Sequence, residues 1–204
     1  MITALISFAQ ELVLSVGYPG IIFVAFLENF FPPLPSEAIF PFMGFIASGG
    51  KLKLSLVVVA GVIGTYVGAL FWYFAGYLLG ASNLKALIVR YGKLLRIKWV
   101  EIERAQQWFE RYEAPVIFFG RLIPLVRTFI SIPAGFVRMS LVPFSILTVI
   151  GSTIWIGILS YAGFIMGEHW ELVTPYFEGY QRVFEFLILG IVIFFLLKRL
   201  KSTK

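Results

Sequence analysis

Cysteine and aspartate are missing from the sequence, and each absence removes a class of chemistry. None of the 204 residues is cysteine, so disulfides, thiolate nucleophiles and cysteine-ligated metal or iron–sulfur sites are excluded. All 11 acidic residues are glutamate, and His169 is the single histidine. Metal sites need clustered His, Asp, Glu or Cys side chains, and the sequence offers no such cluster. We therefore predict no metal and no other cofactor.

Charged residues are also scarce. They make up 14% of the chain, whereas 59% of residues are hydrophobic and the mean hydropathy is +0.90. A soluble chain carries about 25% charged residues because its surface must face water. The composition therefore predicts an all-α integral membrane protein. The net charge of +6 is typical of cytoplasmic loops and contacts with anionic lipid rather than of nucleic-acid binding, so no nucleic-acid partner is expected.

Two long charge-free runs predict membrane-spanning helices. They are Leu54–Gly80 and residues 139–167, and a bilayer core of about 30 Å requires about 20 apolar residues in a helix. A shorter apolar run from Phe186 to Leu197, extended by Val183 and Phe184, is followed by a basic tail. This run predicts a third span whose basic end lies at the cytoplasmic interface.

Two further apolar stretches are interrupted by proline. Residues 17–50 contain Pro32, Pro33, Pro35 and Pro41, and residues 114–137 contain three more prolines, at 115, 124 and 133. Proline removes a backbone donor and clashes with the preceding turn, so these stretches are expected to break repeatedly. Broken backbone at membrane depth is tolerated only where protein or a wet cavity surrounds it. Both stretches therefore predict re-entrant hairpins.

The order of elements suggests an inverted repeat, each unit being a re-entrant hairpin followed by a span. The strings FAGYLLG (74–80) and YAGFIMG (161–167) close the two long spans, although such strings also recur by chance in apolar helices. A basic, amphipathic connector between the units predicts interfacial helices on the cytoplasmic side. Within one membrane domain, the predicted segments are an N-terminal helix (1–16), a first repeat (17–80), the connector (81–113), a second repeat (114–167), an outer loop (168–182) and a last helix with the basic tail (183–204).

Glu28 and Glu37 flank the first group of prolines. A carboxylate in hydrocarbon is costly unless it pairs with a cation or takes up a proton. The functional interpretation is a protonatable pair that couples transport to a proton gradient. The structural alternative is an ion pair that holds the hairpin together.

Arg121 and Arg127 flank Pro124 in the second stretch. The planar guanidinium stays charged and matches phosphate with a fork of donors, so two arginines at a broken helix could bind one anionic headgroup. The alternative is that they only neutralise Glu28 and Glu37. The two interpretations are compatible, because a lipid phosphate could compete with the carboxylates for the arginines.

The stretches ENFFPPLPSE (28–37) and GRLIPLVRTFISIPAGFVRM (120–139), with the paired spans, resemble the DedA family of VTT-domain membrane proteins. The resemblance implies two facing re-entrant hairpins and movement of lipids between leaflets. It also implies that the essential acidic pair is Glu28 and Glu37 and the essential arginine pair is Arg121 and Arg127. The remaining motif residues are Pro32, Pro33, Pro35, Pro124, Thr128 and Gly135.

These observations favour a transporter in the plasma (inner) membrane, with the connector and C-terminus in the cytoplasm. The substrate implied by the resemblance is undecaprenyl phosphate or a phospholipid such as phosphatidylethanolamine, with protons as the coupling ion. The alternatives are a passive scramblase, an enzyme acting on lipid phosphates, and a scaffold or ion channel. An enzyme is disfavoured because such enzymes generally need His nucleophiles or acidic metal clusters. A homo-oligomer remains open.

Overall fold

A computed structural model describes residues 2–30, 36–95, 99–123, 126–167 and 169, and the regular structure in this part of the chain is entirely α-helical. The predicted last helix and nearly all of the predicted outer loop lie outside the described residues. The helices are α1 (Ile2–Val16), α2 (Tyr18–Glu28), α3 (Ser36–Ser48), α4 (Leu54–Leu95), α5 (Trp99–Arg111), α6 (Glu113–Gly120), α7 (Val126–Phe129), α8 (Ser131–Phe136) and α9 (Leu141–Met166).

The two long predicted spans are present as helices that are long and apolar enough to cross a membrane. They are Leu54–Gly80, the first part of α4, and Leu141–Met166, which is α9. Gly80 has a φ of 59° and bends α4 at the end of its apolar run. Large apolar side chains recur at every third or fourth position on the outward face of each helix, as on a surface that faces lipid. They include Leu56, Val59, Ile63, Val67, Phe71 and Phe74 on α4 and Val142, Ile146, Ile150, Ile154, Ile158 and Ile165 on α9.

Each proline-rich stretch folds as helices separated by a break, but not every proline makes one. The prediction was wrong for Pro41, which lies inside α3 without ending it. Pro115 and Pro133 are the third residues of α6 and α8, where the first helical turn tolerates proline because its N–H groups have no intrahelical acceptor. The remaining predicted breakers, Pro32, Pro33, Pro35 and Pro124, lie outside the described residues.

The short helices exchange partners between the two long ones. In the first half, α2 packs against α4, the long helix of its own half, while α3 packs against α9. In the second half, α6 packs against its own α9, while α8 packs against α4. The same pattern in both halves interlocks them, so neither half forms its helix contacts alone.

Glycine allows the closest approach at both exchanged contacts. A Cβ on Gly44 of α3 would overlap the carbonyl oxygen of Ser160 on α9, and a Cβ on Gly135 of α8 would overlap that of Tyr73 on α4. Ser160 and Tyr73 each lie just before one of the two repeated strings that close the long runs. The sequence similarity between the halves therefore corresponds to similar backbone packing, which small residues permit in membrane helices.

The described part of the connector is helical, as the amphipathic pattern predicts. It comprises the part of α4 beyond Gly80 and the separate helix α5. Phe109 of α5 is buried, whereas Arg104, Glu110 and Arg111 are exposed. The helix thus presents one apolar side to the protein and a charged side to its surroundings.

Candidate functional site

The breaks in the two proline-rich stretches bring a carboxylate and a guanidinium together. Glu28 is the last residue of α2, and Arg127 lies in α7, the single turn that follows the second break. Nη2 of Arg127 donates to Oε1 of Glu28 in an ion pair. The two residues are only 4% and 5% exposed. Oε2 of Glu28 has no hydrogen-bond partner among the described residues, so half of the carboxylate remains available to a proton or another donor.

Arg121 is more deeply buried than Arg127, with 1% of its surface exposed. Its Nη1 donates to the carbonyl oxygen of Arg127 at 2.8 Å, and its Nη2 donates to the hydroxyl of Ser131 at 2.7 Å. Its Nε has no partner in the described part of the chain. The guanidinium carbon lies 5.7 Å from the centre of the Phe144 ring, a distance at which the ring face attracts a cation. No described carboxylate forms an ion pair with Arg121.

The buried charges therefore do not cancel within the described residues. Glu28 neutralises Arg127, and the positive charge of Arg121 is left over. Glu37, in the first turn of α3, is only partly buried and lies close enough to Glu28 for like-charge repulsion. The sequence left open a structural alternative in which two arginines neutralise two glutamates, and the structure contains one such pair. A buried cation without a counterion is costly, which makes the surroundings of Arg121 favourable for an anion.

The other motif residues have distinct positions. Thr128, next to Arg127 in α7, is buried, and Gly135 lies where α8 meets α4. The four motif prolines lie outside the described residues. The structure thus brings Glu28, Arg121 and Arg127 together, with Glu37 nearby, and separates Gly135 from them as a helix-packing residue.

Two tryptophans contact the two sides of the first break. Nε1 of Trp72 on α4 donates to the carbonyl oxygen of Asn29 at 2.7 Å, and Nε1 of Trp155 on α9 lies 3.5 Å from the hydroxyl of Ser36. Each long helix thus holds one side of the segment that carries Glu28 and Glu37. No sequence pattern predicts these contacts, since an indole N–H in an apolar helix has no periodic signature.

Residues 34–165 match the VTT domain. A protein of Lactococcus lactis named alkaline phosphatase-like protein is 41% identical over 188 residues, covering 90% of this chain and 87% of that protein. Undecaprenyl phosphate transporter A of Staphylococcus aureus is 30% identical, covering 95% of this chain and 96% of the transporter. The Bacillus subtilis protein of the same name is 33% identical, covering 91% and 90%. No solved structure matches the chain.

Proposed function

The chain belongs to the VTT-domain (DedA) family of membrane proteins, and from this membership and its buried charges we propose that it transports a phosphate-bearing lipid between leaflets. The names of the Staphylococcus aureus and Bacillus subtilis relatives make undecaprenyl phosphate the first candidate substrate, and a phospholipid such as phosphatidylethanolamine the second. Transport is coupled to protons in the plasma membrane, with the connector and C-terminus in the cytoplasm.

The proposed architecture is a pair of re-entrant hairpins in an inverted repeat. The first hairpin is α2 with α3, and the second is α6 with α7 and α8. Their support is the exchange of partners, in which each half packs one short helix on its own long helix and one on the other. Inverted repeats with discontinuous helices that meet at the membrane midplane are typical of secondary transporters. In such folds one repeat rocks against the other, which here would expose the charged centre to alternate leaflets.

The observation that carries the proposal is the buried guanidinium of Arg121, which has no carboxylate partner among the described residues. An ionisable residue inside a membrane protein marks a substrate or ion pathway by default. A lipid phosphate supplies the missing negative charge and enough acceptor oxygens for two guanidinium forks. Arg127 can join Arg121 on the same phosphate once Glu28 releases it.

Protons enter through the carboxylates. When Glu28 takes up a proton, its ion pair with Arg127 weakens, and Arg127 becomes available to the phosphate. Glu37 lies close enough to Glu28 for its negative charge to disfavour a second negative charge there. Proton binding and phosphate binding therefore favour each other, which is the linkage that a coupled transporter needs.

Hydrolysis of a phosphate ester is the function that the name of the Lactococcus lactis relative suggests. We do not propose it for this chain, because the sequence has one histidine and no aspartate, and phosphate-ester hydrolysis generally uses His nucleophiles or acidic metal clusters. A passive scramblase uses the same site without coupling. Both alternatives give distinct results in the experiment that tests the proposal.

The test compares Arg127→Ala and Arg127→Lys with the wild type in proteoliposomes that contain undecaprenyl phosphate, with and without a proton gradient. Lysine keeps the charge but loses the fork, so we expect both variants to lose translocation, alanine more completely. Arg104→Ala, on the exposed side of α5, is the matched control and should translocate normally. Wild-type rates in both Arg127 variants would contradict the phosphate role.

Two further readings of the same assay separate the alternatives. Translocation at the same rate with and without the gradient identifies a scramblase, and release of inorganic phosphate identifies a hydrolase.

Glu28→Gln carries a neutral side chain of the same shape, so its translocation should no longer vary with pH. A Glu28→Gln profile that follows the wild type would remove Glu28 from the proton pathway.

A further inference from the structure

The side chain of Arg121 runs along one face of α9. At its base, a Cβ added to Gly151 would lie 2.7 Å from the Cβ of Arg121. At its tip, the guanidinium carbon lies 5.7 Å from the centre of the Phe144 ring. Gly151 and Phe144 are two turns apart on the buried face of α9. These two contacts place the side chain of Arg121 against this face of α9, on which one residue lies between Gly151 and Phe144.

That residue is Thr148, three positions before Gly151 and four after Phe144, hence on the same face of the helix. It is completely buried, and its hydroxyl has no hydrogen-bond partner among the described residues. Nε of Arg121 also lacks a partner there. Leaving a buried polar group without a hydrogen bond lowers stability. Two such groups near the same part of α9 are donors suited to a ligand with acceptor oxygens.

Ser131 adds a third donor to the same place. Its hydroxyl oxygen accepts the hydrogen bond from Nη2 of Arg121, and no acceptor for its own hydrogen is seen in the described part of the chain. The residue is completely buried. The Nε of Arg121 and the hydroxyls of Thr148 and Ser131 thus offer three hydrogens in a region that contains an excess positive charge.

We propose that Arg121, Thr148 and Ser131 form an oxyanion subsite that binds one phosphoryl oxygen of the substrate while the Glu28–Arg127 ion pair is still intact. This inference rests on the proposed function and deepens it by ordering the two arginines. Arg121 receives the phosphate first, since its Nε donor is free. Arg127 joins afterwards, since it must first leave Glu28. The ligand chemistry is a phosphate oxyanion, carried by a lipid headgroup or by inorganic phosphate.

The test uses Thr148→Val, which keeps the shape of the side chain and removes the hydroxyl, and Thr148→Ser, which keeps the hydroxyl. Thr153→Val is the matched control on the same helix, because the Thr153 hydroxyl is exposed and donates to the carbonyl of Val149 in its own helix. Binding of undecaprenyl phosphate and of undecaprenol, which lacks the phosphate, is measured on the purified full chain in nanodiscs. Inorganic phosphate is added as a competitor.

A hydrogen bond to a charged group contributes about 1.5–3 kcal/mol, so Thr148→Val should weaken binding of undecaprenyl phosphate about tenfold or more. Thr148→Ser and Thr153→Val should bind it as the wild type does. Undecaprenol should bind all four proteins equally. Competition by inorganic phosphate shows that a free anion also fits the subsite, and a lack of competition shows that the lipid tail is required. Weaker binding of undecaprenyl phosphate by Thr148→Val supports the subsite in either case.

A structural role for Thr148 is distinguished by thermal unfolding without lipid. Because its hydroxyl has no hydrogen-bond partner among the residues that the structure describes, Thr148→Val should have a Tm equal to or above that of the wild type, but should lose the rise in Tm that undecaprenyl phosphate causes. A lowered lipid-free Tm, or wild-type affinity in Thr148→Val, would overturn the subsite. If Thr148→Val binds weakly while the wild type does not translocate lipid, the subsite stands and the proposed function fails. If Thr148→Val binds and translocates undecaprenyl phosphate as the wild type does, the subsite fails and the proposed function stands.

Discussion

The short helices of the two halves meet the long helices at corresponding points, with α3 crossing α9 at Gly44 and α8 crossing α4 at Gly135. The halves differ in what they bring to the centre. The first supplies the carboxylates of Glu28 and Glu37, and the second supplies the guanidiniums of Arg121 and Arg127. The backbone packing is thus duplicated while the charges are divided. Because the Glu28–Arg127 pair joins the two halves, neither half contains a complete site.

The largest effect should come from breaking the ion pair between the halves. Glu28→Ala or Arg127→Ala leaves a buried charge without its partner, which costs about 3–5 kcal/mol of folding free energy. The exchanged double variant Glu28→Arg/Arg127→Glu should recover most of this loss if the packing of the halves is independent of which one carries which sign. The measurement is the free energy of unfolding in detergent, with Arg104→Ala as an exposed-charge control.

The exchanged variant also separates folding from transport. It restores a pair but moves a carboxylate next to Thr128 and the oxyanion subsite, so we expect a folded protein with little translocation. If the double variant loses as much free energy of unfolding as the two single variants lose together, the sign of the charge in each half is fixed by its surroundings. The similarity of the halves would then hold only for the backbone.

A smaller effect is expected at the two glycine contacts. Gly44→Ala and Gly135→Ala each place a methyl group against a carbonyl oxygen of the other half, and overpacking of this kind costs about 1–3 kcal/mol. Gly157→Ala, on α9 with open space around it, is the control and should be neutral or stabilising, because alanine favours a helix more than glycine does. Thermal unfolding of the three variants measures the losses.

The relation between the two glycine losses sharpens the comparison. Similar losses at Gly44 and Gly135 indicate that both exchanged contacts are held equally firmly. A loss at only one of them would identify the other helix as the one that can yield, and so as the better candidate for the moving hairpin.

Features that depend on composition and local pattern could be predicted from the sequence. The predicted span Leu54–Gly80 agrees with the helix in the structure, because a charge-free apolar run is sufficient to define a membrane helix. Pro41 was predicted wrongly because the local rule, that proline breaks a helix, ignores tertiary packing. The carbonyl of Pro41 lies against Gly163 of α9, and packing of α3 on α9 holds the helix together through the proline.

The charged centre could be predicted only in part. The spacing of the charges around the prolines placed Glu28 and Arg127 in broken segments, which is where they meet. Equal numbers of carboxylates and arginines could not show that Arg121 has no carboxylate partner in the described part of the chain, because pairing depends on the side-chain path along α9. Thr148 had no signal at all, since a threonine in an apolar helix usually bonds to its own backbone.

The smallest predicted effect concerns a place where the duplication of the two halves fails. Counted from the repeated strings at 74–80 and 161–167, Tyr66 of α4 corresponds to Thr153 of α9. The hydroxyl of Tyr66 shares a hydrogen bond of 2.7 Å with that of Ser145 on α9, whereas the hydroxyl of Thr153 bonds to its own helix. Hydrogen bonds between membrane helices contribute about 0.6 kcal/mol on average.

We therefore expect Tyr66→Phe to lower the free energy of unfolding by about 0.6 kcal/mol and Thr153→Val to leave it unchanged. The double variant Tyr66→Phe/Ser145→Ala should lose less free energy of unfolding than the two single variants lose together. The reason is that the hydrogen bond is already gone in either single variant. Equal effects of Tyr66→Phe and Thr153→Val would mean that the cross-helix bond contributes nothing. The two long helices would then be held by apolar and glycine contacts alone, and the halves would be more alike than their hydrogen bonds suggest.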